Sequence, residues 1–259
     1  MGRQIELSDR LKAVAGLVTK GNVVCDVGCD HGFVSIYLVE RGISPQVIAM
    51  DVNQGPLQAA KNHIAEQGMT ARVETRISDG IQALLPGEAD TLLCAGMGGR
   101  LMIRILEEGQ EKLVQMQEMI LQPQSELQEI RKYLRKRGYA IIEEDMVLEE
   151  GKYYPVIKAL PGEGIKQQNQ SRDQLLRSRQ TEQKEQSQEQ WQRLEDRYGP
   201  ILLQKRHPVL QNFLQKEWGI YTGILEGLQE NSRQKERRRE ILEKIQDIEQ
   251  ALTYVNQGE

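Results

Sequence analysis

One stretch decides the fold of this chain: Val23-Val24-Cys25-Asp26-Val27-Gly28-Cys29-Asp30-His31-Gly32. An apolar run of strand length leads into a turn with two glycines, and a mainly apolar segment of helical length, residues 33–41, follows. A buried strand that enters a helix through a glycine turn is typical of a doubly wound α/β domain. Ligands bind such domains at the carboxyl ends of the strands, so this turn is predicted to line a binding crevice.

The glycine spacing excludes one common class of ligand. Gly28 and Gly32 are separated by three residues, so this turn lacks the G-x-G-x-x-G motif that lets a backbone approach a pyrophosphate. Carboxylates at Asp26 and Asp30 repel a diphosphate but can pair with an amine. S-adenosylmethionine has an amino group and a sulfonium and no phosphate, so the turn favours it as the ligand.

Two further strand ends carry acidic residues. The run Val47–Met50 ends in Asp51, 23 residues after Gly28, where a carboxylate can accept hydrogen bonds from both ribose hydroxyls of an adenosine. A third strand ends at Asp79-Gly80, where a carboxylate can reach the adenine amine. Each feature alone is also compatible with a plain turn or a helix start. Together they predict a cofactor site made of Asp26, Gly28, Asp30, His31, Gly32, Asp51, Val52, Asp79 and Gly80.

Composition limits the function classes. A chain of 259 residues exceeds the usual size of one domain, so one domain with an appendage is expected. A net charge of -4 argues against a globally basic nucleic-acid binder and leaves that role to local patches. The three cysteines and three histidines lack metal-ligand spacing, so we expect a reduced protein without structural metal. No run approaches the roughly 18 apolar residues of a membrane helix, and we expect a cytoplasmic protein.

The organisation of the chain changes near residue 161. Before this point β-rich runs alternate with helical patterns, which predicts a Rossmann-like domain over residues 1–160 with a mostly parallel seven-stranded sheet. Strands are expected near 23–28, 46–52, 71–78, 89–96, 118–123, 138–148 and 153–160, the last two as an antiparallel hairpin. Helices are expected near 8–18, 33–41, 55–67, 98–108 and 125–137.

Residues 165–259 are predicted to form a helical, coiled-coil-like domain. Strand formers become rare, and apolar residues recur at spacings of four and three at Ile241, Ile245, Ile248, Leu252 and Val255. The expected antiparallel partner of this seam is an earlier helix that holds Leu175, Leu176, Trp191 and Leu194. Gly199-Pro200 and His207-Pro208 are predicted to interrupt the helices between them.

The fourth strand ends in a glycine-rich loop at the position where a methyl acceptor lies in this architecture. The loop lacks the Asn or Asp followed by Pro-Pro that holds an exocyclic amine, and its small residues let a flat base approach. A ring nitrogen such as adenine N1 already has an in-plane lone pair, so catalysis can depend on positioning without a general base. Cys94 is also compatible with a small apolar filler. The predicted acceptor loop is Cys94, Ala95, Gly96, Met97 and Gly98.

The sequence resembles the bacterial tRNA (adenine-N1)-methyltransferases that modify adenine 22, over nearly its whole length. The similar segments are Leu7-Ser8-Asp9-Arg10-Leu11, Asp26-Val27-Gly28-Cys29-Asp30-His31-Gly32, Ala95-Gly96-Met97-Gly98-Gly99, Leu121-Gln122-Pro123-Gln124 and Glu149-Glu150-Gly151-Lys152-Tyr153-Tyr154. The resemblance implies a class I fold, S-adenosylmethionine as methyl donor and N1 of a tRNA adenine as acceptor. It also implies that Gly28, Asp51, Asp79 and Gly80 bind the cofactor and that residues 94–97 line the meeting point of adenine and methyl.

The RNA interface is the least determined part of the sequence. The candidates are Arg100, Arg104, Tyr153, Arg237, Arg238 and Arg239, although charged helix faces are often simply solvated. The helical domain is the preferred tRNA clamp, no DNA partner is expected, and monomer and weak dimer both stay open. One alternative is a non-catalytic Rossmann-fold module that binds protein or RNA through its helical hairpin. A dehydrogenase on the same fold is disfavoured by the glycine spacing.

Overall fold

A computed structural model describes residues 5–161, 182–228 and 234–257. In its first compact unit, seven strands form one sheet in the order β3-β2-β1-β4-β5-β7-β6. The strands are β1 Val24–Val27, β2 Val47–Asp51, β3 Val73–Ile77, β4 Thr91–Met97, β5 Glu118–Pro123, β6 Ala140–Glu149 and β7 Lys152–Leu160. The predicted Rossmann-like class is confirmed.

The pairing pattern brings the functional strand ends to one edge. Strands β1 to β5 pair in parallel, while β7 is antiparallel to both β5 and β6, as predicted for a terminal hairpin. Val27 at the end of β1 is in register with Met50 on β2 and Cys94 on β4. Strand order reverses at β1, so the ends of β1, β2 and β4 border the crevice where ligands bind.

Helices cover both faces of the sheet. Their bounds are α1 Asp9–Gly16, α2 Phe33–Glu40, α3 Gln54–Glu66, α4 Gly99–Glu108, α5 Gln110–Leu113 and α6 Leu127–Lys136. Val24 and Cys25, neighbours on β1, belong to opposite hydrophobic cores because successive strand residues point to opposite faces. Ile36 of α2 is in the first core and Met102 of α4 is in the second. The near-continuous apolar strands of the sequence follow from this double coverage.

The second compact unit is helical. It contains α7 Glu182–Tyr198, α8 Pro200–Gln204, α9 Pro208–Gly227 and α10 Lys235–Asn256. The predicted interruptions at Gly199-Pro200 and His207-Pro208 are confirmed, since α8 and α9 each begin at the proline. The predicted division between residues 160 and 165 lies partly outside the described residues and stays a prediction.

The α10 seam packs against more helices than the one that the sequence predicted. The Trp191 and Tyr254 rings are 4.6 Å apart, which joins α7 to α10 as expected. Gln211 Nε2 on α9 also donates to Asn256 Oδ1 at 2.7 Å, and Trp218 Nε1 donates to Glu249 Oε1 at 3.2 Å. Helix α10 therefore runs antiparallel to α9 as well as α7.

The seam itself differs from the prediction at one position. Ile241, Ile245, Ile248 and Val255 are buried, but Leu252 is only half-buried and Ala251 occupies the covered position beside it. A helix between two neighbours needs a wider apolar stripe than a two-helix seam, which explains the shift. Leu175 and Leu176 of the predicted partner lie outside the described residues. No helix of the described ranges is long and apolar enough to span a membrane.

Candidate active site

The turn after β1 has a backbone that favours glycine. Gly28 and Gly32 have φ angles of 72° and 76°, in the left-handed region that residues with side chains rarely adopt. The backbone N–H groups of Gly28 and Cys29 both donate to the Met50 carbonyl, at 2.8 and 3.0 Å. The turn therefore folds over the end of β2 and places Asp30 beside Asp51.

Asp51 lies at the tip of β2 with its carboxylate held by backbone groups. Oδ2 accepts from the Asp30 N–H at 3.3 Å, and Oδ1 accepts from the Asn53 N–H at 2.8 Å. Each carboxylate oxygen can accept a second hydrogen bond, so two ribose hydroxyls can still donate to this group. Val52 is 60% exposed and Ile77, in register with Asp51 on β3, is 49% exposed. An oriented acceptor beside exposed apolar side chains fits a nucleoside.

Asp26 lies below the turn. Its side chain is buried, and the Ser35 hydroxyl donates to Oδ2 at 2.6 Å. Burial raises the pKa of Asp26 to about 6, partly opposed by the Ser35 hydrogen bond. In the turn that follows Asp26, Asp30 and His31 are exposed and Gly28 is partly exposed, while Cys29 and Gly32 are buried.

Asp79 and Arg104, predicted for the cofactor and for RNA respectively, bind each other. Arg104 Nη2 donates to Asp79 Oδ1 at 2.9 Å and Nη1 donates to Oδ2 at 3.3 Å. Both side chains stay partly exposed, at 47% for Arg104 and 41% for Asp79, so the RNA role of Arg104 and the cofactor role of Asp79 stay predictions. Gly80 has a φ of 56°, and a Cβ there would lie 3.0 Å from Ile105 Cγ1, so this glycine lets α4 approach the end of β3.

His31 lies in an exposed ring cluster beside the turn. Its ring centroid is 5.9 Å from that of Phe33 and 6.0 Å from that of His63. The backbone carbonyl of His31 is 3.0 Å from His63 Nδ1. The N-cap of α2 is Gly32, so His31 precedes the capping position and is not itself the N-cap residue.

The loop after β4 touches the turn after β1. The pairing of β4 with β5 shifts register between Ala95 and Met97, and Gly96 has a φ of 79°. A β-bulge of this kind redirects the side chains that follow it. A Cβ built on Gly28 would lie 2.7 Å from Met97 Cε, so the Met97 side chain covers that glycine. The structure thus brings the predicted acceptor loop and the predicted cofactor turn together.

Cys94 does not line the acceptor site with its side chain. It is fully buried in the second core, and burial raises the pKa of its thiol well above the usual range. The prediction of Cys94 as an acceptor-loop residue is corrected to the apolar-filler alternative. Ala95, Gly96, Met97 and Gly98 all retain exposed surface.

The remaining RNA candidates are divided between the two units. Arg100 follows the acceptor loop with 89% of its side chain exposed, and its Nε is 3.6 Å from Glu126 Oε1. Tyr153 is half-buried at the start of β7, which lies at the same edge as the ends of β4 and β5. On α10, Arg237 and Arg239 are exposed and Arg238 is partly buried, with Arg239 Nε 3.1 Å from Glu243 Oε1.

Sequence reasoning missed Gln122 as a site residue. This buried side chain of β5 accepts a hydrogen bond from the Gly96 backbone N–H at 2.9 Å. The available signal was a polar residue inside the apolar run Met119–Pro123. Its partner lies 26 residues away, and a sequence pattern does not reveal such a contact.

The seven-stranded sheet and the nucleoside-type site define a class I S-adenosylmethionine-dependent methyltransferase. The model of a family described as a methyltransferase domain matches residues 7–157. The tRNA (adenine(22)-N(1))-methyltransferase of Bacillus subtilis is 37% identical over 160 residues, which cover 62% of this chain and 67% of the relative. The chain belongs to the tRNA (adenine(22)-N1)-methyltransferase family.

Solved structures agree with this membership. The crystal structure of the B. subtilis m1A22 tRNA methyltransferase has a TM-score of 0.77 at 28% identity and covers 96% of this chain and 99% of that one. A Streptococcus pneumoniae relative in complex with S-adenosyl-L-methionine has a TM-score of 0.76 at 30% identity and covers 95% and 100%. The similarity therefore extends beyond the catalytic unit.

Proposed function

We propose that this protein transfers the methyl group of S-adenosylmethionine to N1 of adenine 22 in tRNA. The observation that carries the proposal is the contact between Met97 and Gly28, which joins the acceptor loop to the cofactor turn. Methyl transfer requires donor and acceptor to meet in line, and two loops in direct contact provide one place for both. Family membership supplies the identity of the acceptor.

Individual residues of the site hold the donor by its non-reacting parts. Asp51 accepts hydrogen bonds from the ribose hydroxyls, and Val52 and Ile77 pack on the adenine ring. The turn from Gly28 to Gly32 carries the methionine portion, with Asp26 beneath it as the nearest buried carboxylate. S-adenosylmethionine supplies an activated methyl group when bound.

The acceptor loop orients the target base and leaves room for its approach to the methyl group. Adenine N1 attacks through its ring lone pair, so no proton leaves before the new bond forms and a general base is unnecessary. Residues 95–98 contribute no ionisable side chain to the loop, in agreement with this chemistry. Their small size and the bulge at Gly96 let the flat base approach the methyl group closely.

Recognition of tRNA is assigned to the helical unit together with Arg100. The exposed side chains of Arg237 and Arg239 on α10 provide positive charge in a chain whose net charge is -4. A tRNA substrate also places the reaction in the cytoplasm.

One assay tests the function directly. Unmodified tRNA is incubated with the protein and methyl-labelled S-adenosylmethionine, and the nucleosides are then separated. The expected product is N1-methyladenosine, and label should disappear when adenine 22 is changed to guanine. Label at N6, or label that persists in the guanine-22 tRNA, would contradict the proposal.

A further inference from the structure

Gln122 has one half of its amide engaged and the other half isolated. Oε1 accepts from the Gly96 N–H at 2.9 Å, and an N–H can pair only with the oxygen end, so the orientation of the amide is fixed. Nε2 consequently points away from Gly96. It is buried and has no hydrogen-bond partner among the described residues.

Gly96 needs this acceptor because β4 is irregular at that residue. The register shift between Ala95 and Met97 leaves Gly96 outside the pairing of β4 with β5. A bulged residue loses its ladder partner, and its N–H must be satisfied elsewhere. Gln122 supplies that partner from the neighbouring strand. Met97, the next residue along the strand, lies against Gly28.

We propose that Gln122 is a positioning residue for methyl transfer, whose side-chain oxygen sets the shape of the acceptor loop through Gly96. The proposal rests on the function given above and identifies what holds its acceptor loop. The burial of Gln122 supports it, because a polar side chain beside the apolar residues 119–121 costs stability unless it is needed as a hydrogen-bond partner. An apolar side chain would fill this part of the core without that penalty.

Two variants remove the oxygen while keeping the volume. Gln122→Leu and Gln122→Met both leave the Gly96 N–H without its acceptor, and methionine also preserves the length of the side chain. We expect kcat to fall at least tenfold in each, with the Kd for S-adenosylmethionine within threefold of wild type. Gln122→Glu retains a side-chain oxygen at the same length and should keep kcat within fivefold.

A matched control lies near the other end of the same strand. Gln117, just before β5, is exposed and donates to Asp90 Oδ1 at 2.8 Å. Gln117→Leu changes the same residue type at the opposite edge of the sheet. It should leave both kcat and cofactor affinity unchanged, and melting temperatures of all variants separate loss of folding from loss of positioning.

A second readout does not depend on activity. The chain has eight methionines, and the methyl signal of Met97 in a methyl-13C-methionine NMR spectrum can be assigned with Met97→Leu. This signal should move in Gln122→Leu and Gln122→Met and stay in place in Gln117→Leu. An unmoved Met97 signal, or kcat within threefold of wild type in both oxygen-lacking variants, would overturn the proposal. A wild-type protein that methylates no tRNA would instead contradict the proposed function, while the Met97 signal still tests the loop.

Discussion

Asp51 combines rigidity with spare hydrogen-bonding capacity. Backbone N–H groups of Asp30 and Asn53 orient its two oxygens, and each oxygen can accept one further hydrogen bond. An oriented carboxylate binds a ligand with little loss of side-chain entropy. Loss of this carboxylate is therefore expected to weaken cofactor binding.

Asp51→Ala should weaken S-adenosylmethionine binding about ten- to hundredfold, because hydrogen bonds to a charged group contribute about 1.5–3 kcal/mol. Affinity for tRNA should stay nearly unchanged. Isothermal titration with the cofactor and filter binding with tRNA measure the two effects. Glu66→Ala, at an exposed acid near the end of α3, is the control. Equal loss of both affinities would mean that the carboxylate is structural.

Asp26 predicts a pH dependence of stability. Its pKa in the folded state is raised from an ordinary value of 3.8 to about 6, so the native state retains a proton that the unfolded state has lost between these values. Stability therefore falls as pH rises from about 4 to about 6, by roughly 3 kcal/mol at most. Asp26→Asn lacks the ionisable carboxyl group, so its free energy of unfolding should rise relative to that of wild type as the pH rises through this range. Urea unfolding at several pH values measures the difference, and parallel curves for the two proteins would refute it.

The segment from the end of β4 to the start of α4 is constrained by packing and also forms the proposed acceptor site. A Cβ on Gly99 would lie 2.6 Å from the Ser125 carbonyl oxygen, whereas a Cβ on Gly98 would lie 3.2 Å from Ser125 Oγ. A backbone atom therefore leaves no room for a side chain at residue 99. At residue 98 the nearest atom belongs to a side chain, and Gly98 is partly exposed. A substitution at residue 98 can therefore test whether the loop contacts the acceptor base.

Gly98→Phe should lower turnover at least tenfold and leave the Kd for S-adenosylmethionine within about twofold, because its ring occupies the space of the incoming base. Steady-state kinetics and titration measure both quantities. Gly219→Ala serves as the control, since a Cβ at this α9 glycine meets nothing within 4 Å. It should stabilise the protein by about 0.5–1 kcal/mol without a change in turnover. Unchanged turnover in Gly98→Phe would remove the loop from the acceptor site.

Sequence patterns predicted the elements better than the contacts between them. Alternating β-rich and helical runs reveal strands because hydrophobic periodicity is local, so the seven strands, their mostly parallel pairing and the terminal hairpin were predictable on that basis. The bidentate Asp79–Arg104 pair was not, since the two side chains come from different elements 25 residues apart. Burial of Cys94 likewise depends on which face of β4 it occupies, and a continuous apolar run does not reveal the face.

The residues proposed to bind the cofactor and the α10 arginines proposed to bind tRNA belong to different units of the molecule. The catalytic unit contains the acidic strand ends that suit an adenosine with a cationic sulfonium, and α10 of the helical unit presents exposed arginines. Contacts to RNA phosphates make binding depend on salt, since each contact releases condensed counterions. Salt dependence therefore reports on the phosphate contacts proposed for α10 and for Arg100, without reference to turnover.

Replacing Arg237 and Arg239 together by glutamate should reduce tRNA affinity and lower the slope of log Kd against log salt by about one for each lost phosphate contact. Cofactor affinity should not change. Electrophoretic mobility shifts at several salt concentrations give the slope. Lys20→Glu, a single charge reversal at an exposed residue before β1, is a control away from α10. An unchanged slope in the arginine variant would rule out this face of α10 as the tRNA contact.

Gly28 and Met97 occupy one shared volume, since a Cβ on the first would overlap the terminal methyl of the second at 2.7 Å. The Met97 methyl is the far end of a flexible side chain and can move aside, whereas the φ of 72° at Gly28 strains any residue with a side chain. Redesign of the acceptor loop for another base can therefore vary residue 97 but must keep glycine at residue 28. The donor turn and the acceptor loop meet at this point, although 69 residues separate Gly28 from Met97 in the chain.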